Sequence, residues 1–365
     1  MLILLSIPVL LIMAIFTFLH LPKFGKLPSG ERLEKIKQSA YYKNGQFQNL
    51  SHTPMMTAKR GMITVLKQFL FDKNPRVKPV DSIPSMHTAL LNLDHPKDVL
   101  VWFGHSSYFM QVDGKKILVD PVFSGAASPF SFNIKAYKGT DIYTTDDIPE
   151  IDFLFISHDH WDHLDYETVN RLKPKIKKII CALGVGEHLK HWGFDKNKII
   201  EPDWNEAVNL GESFLVNTVP ARHFSGRVFS RNRSIWTSFV LRTPTMKIFI
   251  GGDSGYDTHF AAIGKAFGPF DLVILENGQY NQNWKYIHMN PAETLQAAKD
   301  LGTKRLMPVH NSKFPLSVHP WDEPLKSITE LNKEIKLNLA TPMIGEAMNL
   351  KDPSQQFLKW WEGVE

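Results

Sequence analysis

Short apolar runs separated by polar segments dominate the chain from residue 99 onward. Four of these runs lead directly into His or Asp residues. Short runs of this kind predict buried β-strands, and open sheets usually place their functional residues beyond the carboxyl ends of the strands. The four runs are 151–156 before His158, 214–219 before His223, 247–250 before Asp253, and 305–307 before His310.

The same pattern predicts a hairpin and two helices. Runs 106–112 and 115–119 flank Asp113-Gly114, a two-residue turn that is typical of β-hairpins. Asp165 predicts a helix start before 166–172, and Pro291 favours the first position of a helix over 292–301. Strands interleaved with helices predict an α/β fold in which two sheets lie between helical layers.

The N-terminal run from 2 to 19 contains no charged residue. At ~1.5 Å per residue, a helix of this length reaches ~27 Å, which is enough to cross a hydrocarbon core. We therefore expect residues 1–22 to be a transmembrane anchor. A cleaved signal peptide is the main alternative, but no Lys or Arg precedes the run and no small-x-small site follows it. Basic residues outnumber acidic ones directly after the run, which predicts a single-pass protein with its catalytic domain in the cytoplasm.

Residues 23–98 are expected to form a basic, Pro-rich extension between the anchor and the main domain at 99–350. Its one apolar run, 62–71, is too short to span a membrane. Two interpretations of this run stay open, a helix at the membrane interface and a helix packed on the domain. Residues 351–365 are expected to be a C-terminal tail.

Composition restricts the classes of function. The net charge is +5, but Lys and Arg are interspersed with Asp and Glu, so a solvated surface is favoured and no nucleic-acid partner is expected. The single cysteine, Cys181, lies in an apolar run, which predicts a buried strand residue and excludes an intrachain disulfide.

The segment 157–165 carries the strongest chemical signal in the chain. His158, His160, Asp162 and His163 place three imidazoles and a carboxylate within six positions. Imidazole and carboxylate are ligands that zinc, manganese and iron accept. The segment therefore predicts a metal site, and the His and Asp residues that follow the later strands are the expected further ligands.

With these residues in this order, the chain resembles the metallo-β-lactamase superfamily over about 99–350, and its motifs are similar to those of the N-acylphosphatidylethanolamine-hydrolysing phospholipase D branch. The resemblance implies an αββα sandwich that binds two zinc ions. His158, His160 and His223 would hold one ion. Asp162, His163 and His310 would hold the other, and Asp253 would bridge them. The motifs are Trp102-Phe103-Gly104-His105-Ser106-Ser107, Asp120-Pro121-Val122-Phe123, His163-Leu164-Asp165-Tyr166, Gly252-Asp253-Ser254-Gly255-Tyr256, Phe267-Gly268-Pro269-Phe270-Asp271-Leu272 and Ile287-His288-Met289-Asn290-Pro291.

The resemblance also implies an activity. We expect a membrane-anchored dizinc phosphodiesterase that hydrolyses N-acylphosphatidylethanolamine-type phospholipids to phosphatidic acid and N-acylethanolamine. Asp162, Asp253 and His288 are the expected catalytic residues, and His288 would bind a phosphoryl oxygen or protonate the leaving alkoxide. The expected partners are the phospholipid, the membrane and a second copy of the chain in a homodimer. Two alternatives stay open: a hydrolase of a soluble lactone or cyclic phosphodiester, and a non-catalytic metal-binding scaffold.

Several residues are expected to support the ligands. Asp120 and Asp165 are predicted to accept hydrogen bonds from metal-bound imidazoles. Asp159 and Trp161 alternate with the ligands, which indicates that they support the loop. His105 is expected either near the cleft or as a satisfied core residue.

Two positions depart from the pattern of the phospholipase D branch. Glu276 is acidic where that branch is apolar, and Asn311 follows the last ligand in place of tryptophan. These residues predict an altered pocket wall. A carboxylate there would disfavour a phosphodiester unless it pairs with Lys or Arg or faces an amine or hydroxyl of the substrate.

Overall fold

The structure is a computed structural model that describes residues 2–57, 74–94, 97–227 and 229–365. Its strands form a seven-stranded sheet, a six-stranded sheet and a two-stranded ribbon. In chain order they are β1 (Tyr42–Lys43), β2 (Gln46–Phe47), β3 (Val99–Trp102), β4 (Tyr108–Val112), β5 (Lys115–Val119), β6 (Ile151–Ile156), β7 (Ile176–Cys181), β8 (Ile199–Ile200), β9 (Ala207–Gly211), β10 (Phe214–Pro220), β11 (Thr237–Arg242), β12 (Lys247–Ile250), β13 (Leu272–Glu276), β14 (Leu306–Val309) and β15 (Ala347–Asn349).

The two large sheets each combine antiparallel and parallel strands. Their orders are β15-β3-β4-β5-β6-β7-β8 and β14-β13-β12-β11-β10-β9. Strands β5 to β8 pair in parallel, as do β12 to β14, and the other neighbours are antiparallel. The carboxyl ends of parallel strands lie at one edge of a sheet, which is where such folds place functional loops.

Helices cover the outer faces of both sheets. In the described part of the chain the α-helices are α1 (Leu2–Leu19), α2 (Gly30–Lys37), α3 (Tyr166–Leu172), α4 (Gly186–His191), α5 (His259–Phe267), α6 (Pro291–Leu301) and α7 (Glu323–Ile335). The predicted start of α3 is confirmed, since Asp165 accepts a hydrogen bond from the Glu167 main chain. Pro291 opens α6 as predicted, and Asn290 and Glu293 cap it reciprocally.

Three apolar clusters define the layers. The first lies between the sheets, where the ring centroids of Phe155 from β6 and Phe239 from β11 are 5.1 Å apart. The second packs the outer face of the seven-stranded sheet against α3 and α4, and the third packs the six-stranded sheet against α5, α6 and α7. The predicted αββα sandwich is confirmed.

The predicted hairpin is also confirmed, with one correction to its bounds. Asp113 and Gly114 have φ values of +46° and +77°, which the tight turn requires and glycine adopts without strain. Strand β4 begins at Tyr108 rather than Ser106, because the main chain of Ser107 bonds to Phe103 and Gly104 within the preceding turn. Cys181 is buried at the end of β7, as predicted, and burial raises the pKa of its thiol well above the usual value.

Residues Leu2–Leu19 form the single helix α1. No helix within the described ranges combines the length and the apolar character that crossing a membrane requires. This finding does not support the expected transmembrane anchor, which stays a prediction. The apolar run 62–71 lies outside the described residues.

The segment after α1 packs tightly on the sandwich. Ile36 and Phe47 are fully buried in the cluster around α3 and α4. Arg32 pairs with the carboxylates of Glu187 and Glu201, and the Trp192 indole donates to the main-chain oxygen of Pro22 over 2.7 Å. The residues between α1 and position 57 thus pack directly against the domain.

Candidate metal centre

The predicted ligand residues lie together at the carboxyl ends of four strands. His158 follows β6, His223 follows β10, Asp253 follows β12 and His310 follows β14. All seven expected ligands belong to groups whose nitrogen or oxygen atoms lie within 4.8 Å of one another. The structure therefore assembles in one crevice the residues that the sequence separates by 152 positions, from 158 to 310.

The first group consists of His158, His160 and His223. The Nε2 atom of His158 lies 2.8 Å from Nδ1 of His160, and Nε2 of His223 lies 3.2 Å from the same atom. Three imidazole nitrogens that converge in this way present lone pairs to a common point, which is the arrangement that a divalent cation accepts.

The second group consists of Asp162, His163 and His310, together with His105. Asp253 lies between the two groups. Its Oδ1 atom is 3.2 Å from Nε2 of His163 and 3.1 Å from Nδ1 of His310. Its Oδ2 atom instead faces the first group, at 3.8 Å from His158 Nε2 and 3.6 Å from His223 Nε2. One carboxylate oxygen thus faces each group, as a shared ligand requires.

Two buried atoms of the cluster indicate that it fits a metal. Among the described residues, neither Nε2 of His163 nor Oδ1 of Asp253 has a hydrogen-bond partner of suitable geometry. Buried polar atoms are almost always satisfied, so unpaired ones require an explanation such as an ion. Imidazole nitrogen and carboxylate oxygen are the donors that borderline metals prefer.

Local backbone geometry aims these side chains. His310, His105 and Asp120 adopt positive φ values of +65°, +53° and +40°, a region that non-glycine residues adopt infrequently. The main chains of His105 and His310 also bond directly, over 2.9 Å. At Gly252 (φ +58°), a Cβ atom would lie 2.8 Å from Cβ of Ser157, so the approach of the Asp253 loop to the ligand loop requires glycine.

Hydrogen bonds orient the ligands from behind. Nδ1 of His163 donates to Asp120 over 2.8 Å, as predicted. His105 lies 2.8 Å from Asp162 through its Nε2, which resolves the open alternative: it is buried and it contacts the cleft. The prediction for Asp165 is wrong, because its carboxylate is used by Ser124, Thr168 and the start of α3, and not by a ligand imidazole.

The ligand loop is held by partners from distant elements. Asp159 accepts hydrogen bonds from the main chain of Gly226 and the hydroxyl of Ser234. Arg227 donates to the main-chain oxygens of Asp159 and Leu164, and its guanidinium lies 3.9 Å from the Trp161 ring centroid. The predicted supporting role of Asp159 and Trp161 is confirmed.

Sequence reasoning missed Asn49. Its Nδ2 donates to the main-chain oxygen of His223 over 2.8 Å, and its Oδ1 accepts from the main-chain nitrogen of His223 over 3.1 Å. The Trp236 indole donates to the same Oδ1 atom. An isolated Asn in a polar segment carries no sequence signal, so only the fold could reveal it as a clamp on a ligand residue.

The charges of the cluster suit metal binding. Burial lowers the pKa values of His158, His223 and His310 well below the usual range, so these imidazoles are neutral, as ligands must be. Burial alone would raise the pKa of Asp253, but the charge of His163 holds it well below its usual range. Burial also opposes a charged His163, yet the Asp253, Asp162 and Asp120 carboxylates raise its pKa well above the usual value.

His288 and Glu276 form a pair beside the cluster. The Nδ1 atom of His288 lies 2.7 Å from Oε2 of Glu276, and the imidazole centroid is 5.0 Å from that of His223 and 5.1 Å from that of His310. Burial raises the pKa of Glu276 to about 8. Burial would lower the pKa of His288, but the Glu276 carboxylate raises it. The pair therefore holds at least one proton near neutral pH.

The other expected wall residue lies elsewhere. Asn311 is fully buried and donates to the main-chain oxygens of Asn277 and Val309. Its amide is therefore engaged with the ends of β13 and β14 and does not form the pocket wall that the sequence predicted.

A cavity beside His288 adjoins a second cavity. The first, of about 340 Å³, is lined mostly by polar residues, which include His288, Lys285 and Glu293. The other, of about 300 Å³, shares Asn74 and Val318 with the first. Its lining is mainly apolar and includes Pro75, Val77, Ile134, Pro315 and Val318.

Comparisons with known proteins agree with this geometry. The family model described as the beta-lactamase superfamily domain matches residues 115–311. An uncharacterized protein of Mycobacterium tuberculosis (strain H37Rv) is 36% identical over 329 residues, which cover 89% of this chain and 88% of that protein. The N-acyl-phosphatidylethanolamine-hydrolyzing phospholipase D 1 of Caenorhabditis elegans is 29% identical over 311 residues, 79% of this chain and 86% of that enzyme. A solved metallo hydrolase from Ignicoccus hospitalis has a TM-score of 0.53 at 19% identity, over 69% of this chain and 97% of that chain, and shares the fold.

Proposed function

Since the chain belongs to the metallo-β-lactamase superfamily and is a metal-dependent hydrolase, we propose that it is a phosphodiesterase of the phospholipase D type. Its substrate would be an N-acylphosphatidylethanolamine-type phospholipid, and its products phosphatidic acid and N-acylethanolamine. The observation that carries the proposal is the placement of Asp253 between two groups of ligands, with one oxygen toward each. The names of the Caenorhabditis elegans and Saccharomyces cerevisiae relatives, the latter 32% identical over 240 residues, support the lipid substrate.

Two zinc ions belong to the proposal. His158, His160 and His223 would hold one ion, Asp162, His163 and His310 the other, and Asp253 would be shared. Two bound divalent ions lower the pKa of water and neutralise charge on phosphoryl oxygens during an in-line displacement.

The residues of the chain would supply the remaining chemistry. An oxygen of water bonds to phosphorus while the bond from phosphorus to the N-acylethanolamine oxygen breaks. Because that oxygen leaves as a strongly basic alkoxide, it needs a proton, and Nε2 of His288 is the atom placed to deliver it. The carboxylates of Asp162 and Asp253 would orient the attacking water and accept its proton.

The cavities support a substrate that is polar at one end and apolar at the other. The polar cavity contains His288, and the apolar cavity begins where the two share Asn74 and Val318. A headgroup linkage beside His288 would therefore leave room for an apolar chain in the second cavity.

Attachment to a membrane, with the catalytic domain on the cytoplasmic side, is a further part of the proposal. It is supported by a row of exposed apolar side chains on α1, which are Leu10, Leu11, Ile12, Met13, Ile15 and Phe16. Phe18, at the end of α1, stacks on Phe130 at 4.9 Å, and Phe24 contacts Trp161 of the ligand loop at 5.3 Å. Flotation of the full chain with phospholipid vesicles tests this part separately.

The activity is tested with zinc-loaded, full-length protein and its Asp253→Ala variant on N-acylphosphatidylethanolamine vesicles in ¹⁸O-labelled water. Attack on phosphorus predicts one ¹⁸O atom in phosphatidic acid and none in N-acylethanolamine, with product formed by the wild type alone. Turnover of a lactone or a soluble cyclic phosphodiester by metal-loaded protein that leaves the vesicles intact would refute the lipid substrate. Full activity of Asp253→Ala would refute the shared-ligand arrangement.

A further inference from the structure

Glu276 is an acidic residue in a place where the fold does not require one. It ends β13, and its side chain is fully buried. The neighbouring strands β12 and β14 end in the apolar residues Ile250 and Val309. An ionised carboxylate in such surroundings is unfavourable unless hydrogen bonds and an opposite charge compensate for the lost water.

Both oxygens of Glu276 bond to a single loop. Oε2 lies 2.7 Å from Nδ1 of His288, and Oε1 accepts from the main-chain nitrogen of Met289 over 2.6 Å. Within the described ranges, neither Lys nor Arg forms an ion pair with Glu276, and His288 is its one cationic partner. The carboxylate is thus compensated by the residue that faces the metal ligands, rather than by a surface cation.

This contact decides which nitrogen of His288 faces the cleft. In its ionised form Glu276 can only accept, so in that form Nδ1 of His288 carries the proton that lies between the two side chains. With Nδ1 engaged, Nε2 is the nitrogen left for the substrate, and the bond from Met289 to the same carboxylate limits movement of the loop.

We propose that Glu276 is the positioning residue that fixes the tautomer and orientation of His288, so that Nε2 serves the leaving oxygen of the substrate. This inference rests on the proposed phosphodiesterase function. It also reverses the sequence-based expectation that a carboxylate at this position disfavours a phosphodiester, because Glu276 is buried and both of its oxygens are bonded to His288 and Met289.

A direct role of Glu276 in metal binding is the main alternative. Its oxygen lies within 4.8 Å of ligand atoms of Asp253, His288 and His310. Both Glu276 oxygens already have hydrogen-bond partners, however, whereas Oδ1 of Asp253 has none among the described residues. We therefore expect substitution of Glu276 to leave the bound zinc unchanged, as measured by mass spectrometry of the metal.

The experiment compares two lipids that share a phosphatidyl group and differ in the leaving group. N-acylphosphatidylethanolamine releases an alkoxide that needs a proton, whereas phosphatidyl 4-nitrophenol releases a weakly basic phenolate that does not. Glu276→Gln keeps the size of the side chain but cannot accept from both His288 and Met289. Asp271→Asn removes a carboxylate at the other end of the same strand, where Asp271 pairs with Lys304 at the surface, and is the matched control.

We expect Glu276→Gln to lower kcat for the N-acyl lipid roughly 10- to 100-fold, with little change in KM, and to leave hydrolysis of the nitrophenyl lipid nearly unchanged. His288→Asn should show the same selectivity, and the double variant should be no slower than His288→Asn, because Glu276 acts through His288. Asp271→Asn should match the wild type on both lipids. Equal losses on both lipids, loss of zinc, or a further loss in the double variant would overturn the inference.

A measurement without turnover separates this inference from the proposed function. In zinc-loaded protein labelled with ¹⁵N-histidine, the His288 Nδ1 proton should give a hydrogen-bonded NMR signal that Glu276→Gln removes or shifts and Asp271→Asn retains. A wild-type signal in Glu276→Gln would overturn the positioning role. If wild-type protein hydrolyses neither lipid, the phosphodiesterase proposal fails, while the NMR signal still decides whether Glu276 positions His288.

Discussion

Replacing Asn49 with Ala tests whether the segment after α1 is part of the metal site. The Asn49 side chain makes two hydrogen bonds to the main chain of His223 and accepts a third from the Trp236 indole. In the variant, the Trp236 indole can still donate to the main-chain oxygen of Ala221. The substitution therefore leaves two main-chain groups of the buried His223 unpaired. At about 1–3 kcal/mol for each unpaired group, the expected loss is about 2–6 kcal/mol in the free energy of unfolding.

The same change should weaken metal binding. Removing a group that orients a ligand typically costs about 10- to 100-fold in metal affinity. Urea unfolding of the metal-free protein measures the first effect, and zinc competition with a chelating dye measures the second. Asn49→Asp should fall between Ala and the wild type, because the carboxylate can still accept from His223 and Trp236 but cannot donate.

Gln48→Ala is the matched control for Asn49. Among the described residues, the exposed Gln48 side chain bonds only to main-chain oxygens of Lys43 and Gln46, within its own turn. It should unfold and bind zinc like the wild type. If Asn49→Ala also unfolds and binds zinc like the wild type, the hydrogen bonds from Asn49 to His223 have no energetic role and the reasoning is refuted.

Three further predictions concern other contacts. Burial lowers the pKa of His259 to about 4, so the unfolded chain binds more protons below pH 6.5. The contribution of neutral His259 to the free energy of unfolding is fully present above pH 6.5 and declines toward pH 4, with a loss of about 2 kcal/mol at pH 5. In urea titrations, His259→Gln should reduce this decline. Zinc loading at pH 7 should release a proton from His163, and zinc affinity should therefore rise with pH. Calorimetry in buffers of different ionisation enthalpy measures this proton release. Arg227→Ala should lose about 3–5 kcal/mol of unfolding free energy, since it removes bonds to three main-chain oxygens and the contact with Trp161.

Each of these has an outcome that contradicts it. A pH 5 to pH 7 difference equal in wild type and His259→Gln would show that His259 is not the titrating group. Zinc enthalpies independent of the buffer would mean that His163 is neutral before binding. If Arg227→Ala were as stable as the wild type, the bonds of Arg227 to the three main-chain oxygens would have no energetic role; Arg227→Lys is the control for charge.

Much of the fold could be predicted because its signals are local. The turn at Asp113-Gly114, the N-cap at Asp165 and Pro291 at the start of α6 act on neighbouring residues, and the structure has each of them in place. Strand bounds were less accurate, since main-chain hydrogen bonds in the adjoining turns decide where pairing begins, as they do at Ser107.

The sequence by itself determined the order and type of the expected ligands, because His and Asp follow apolar strands and the topology brings strand ends to one edge. Only the tertiary structure decided what surrounds them. Asn49 bonds to His223 across 174 positions of sequence. Glu276, the last residue of the buried strand β13, contacts His288 through its side chain. Such contacts leave no periodic pattern, since they depend on how distant elements pack, and packing is settled by the whole chain at once.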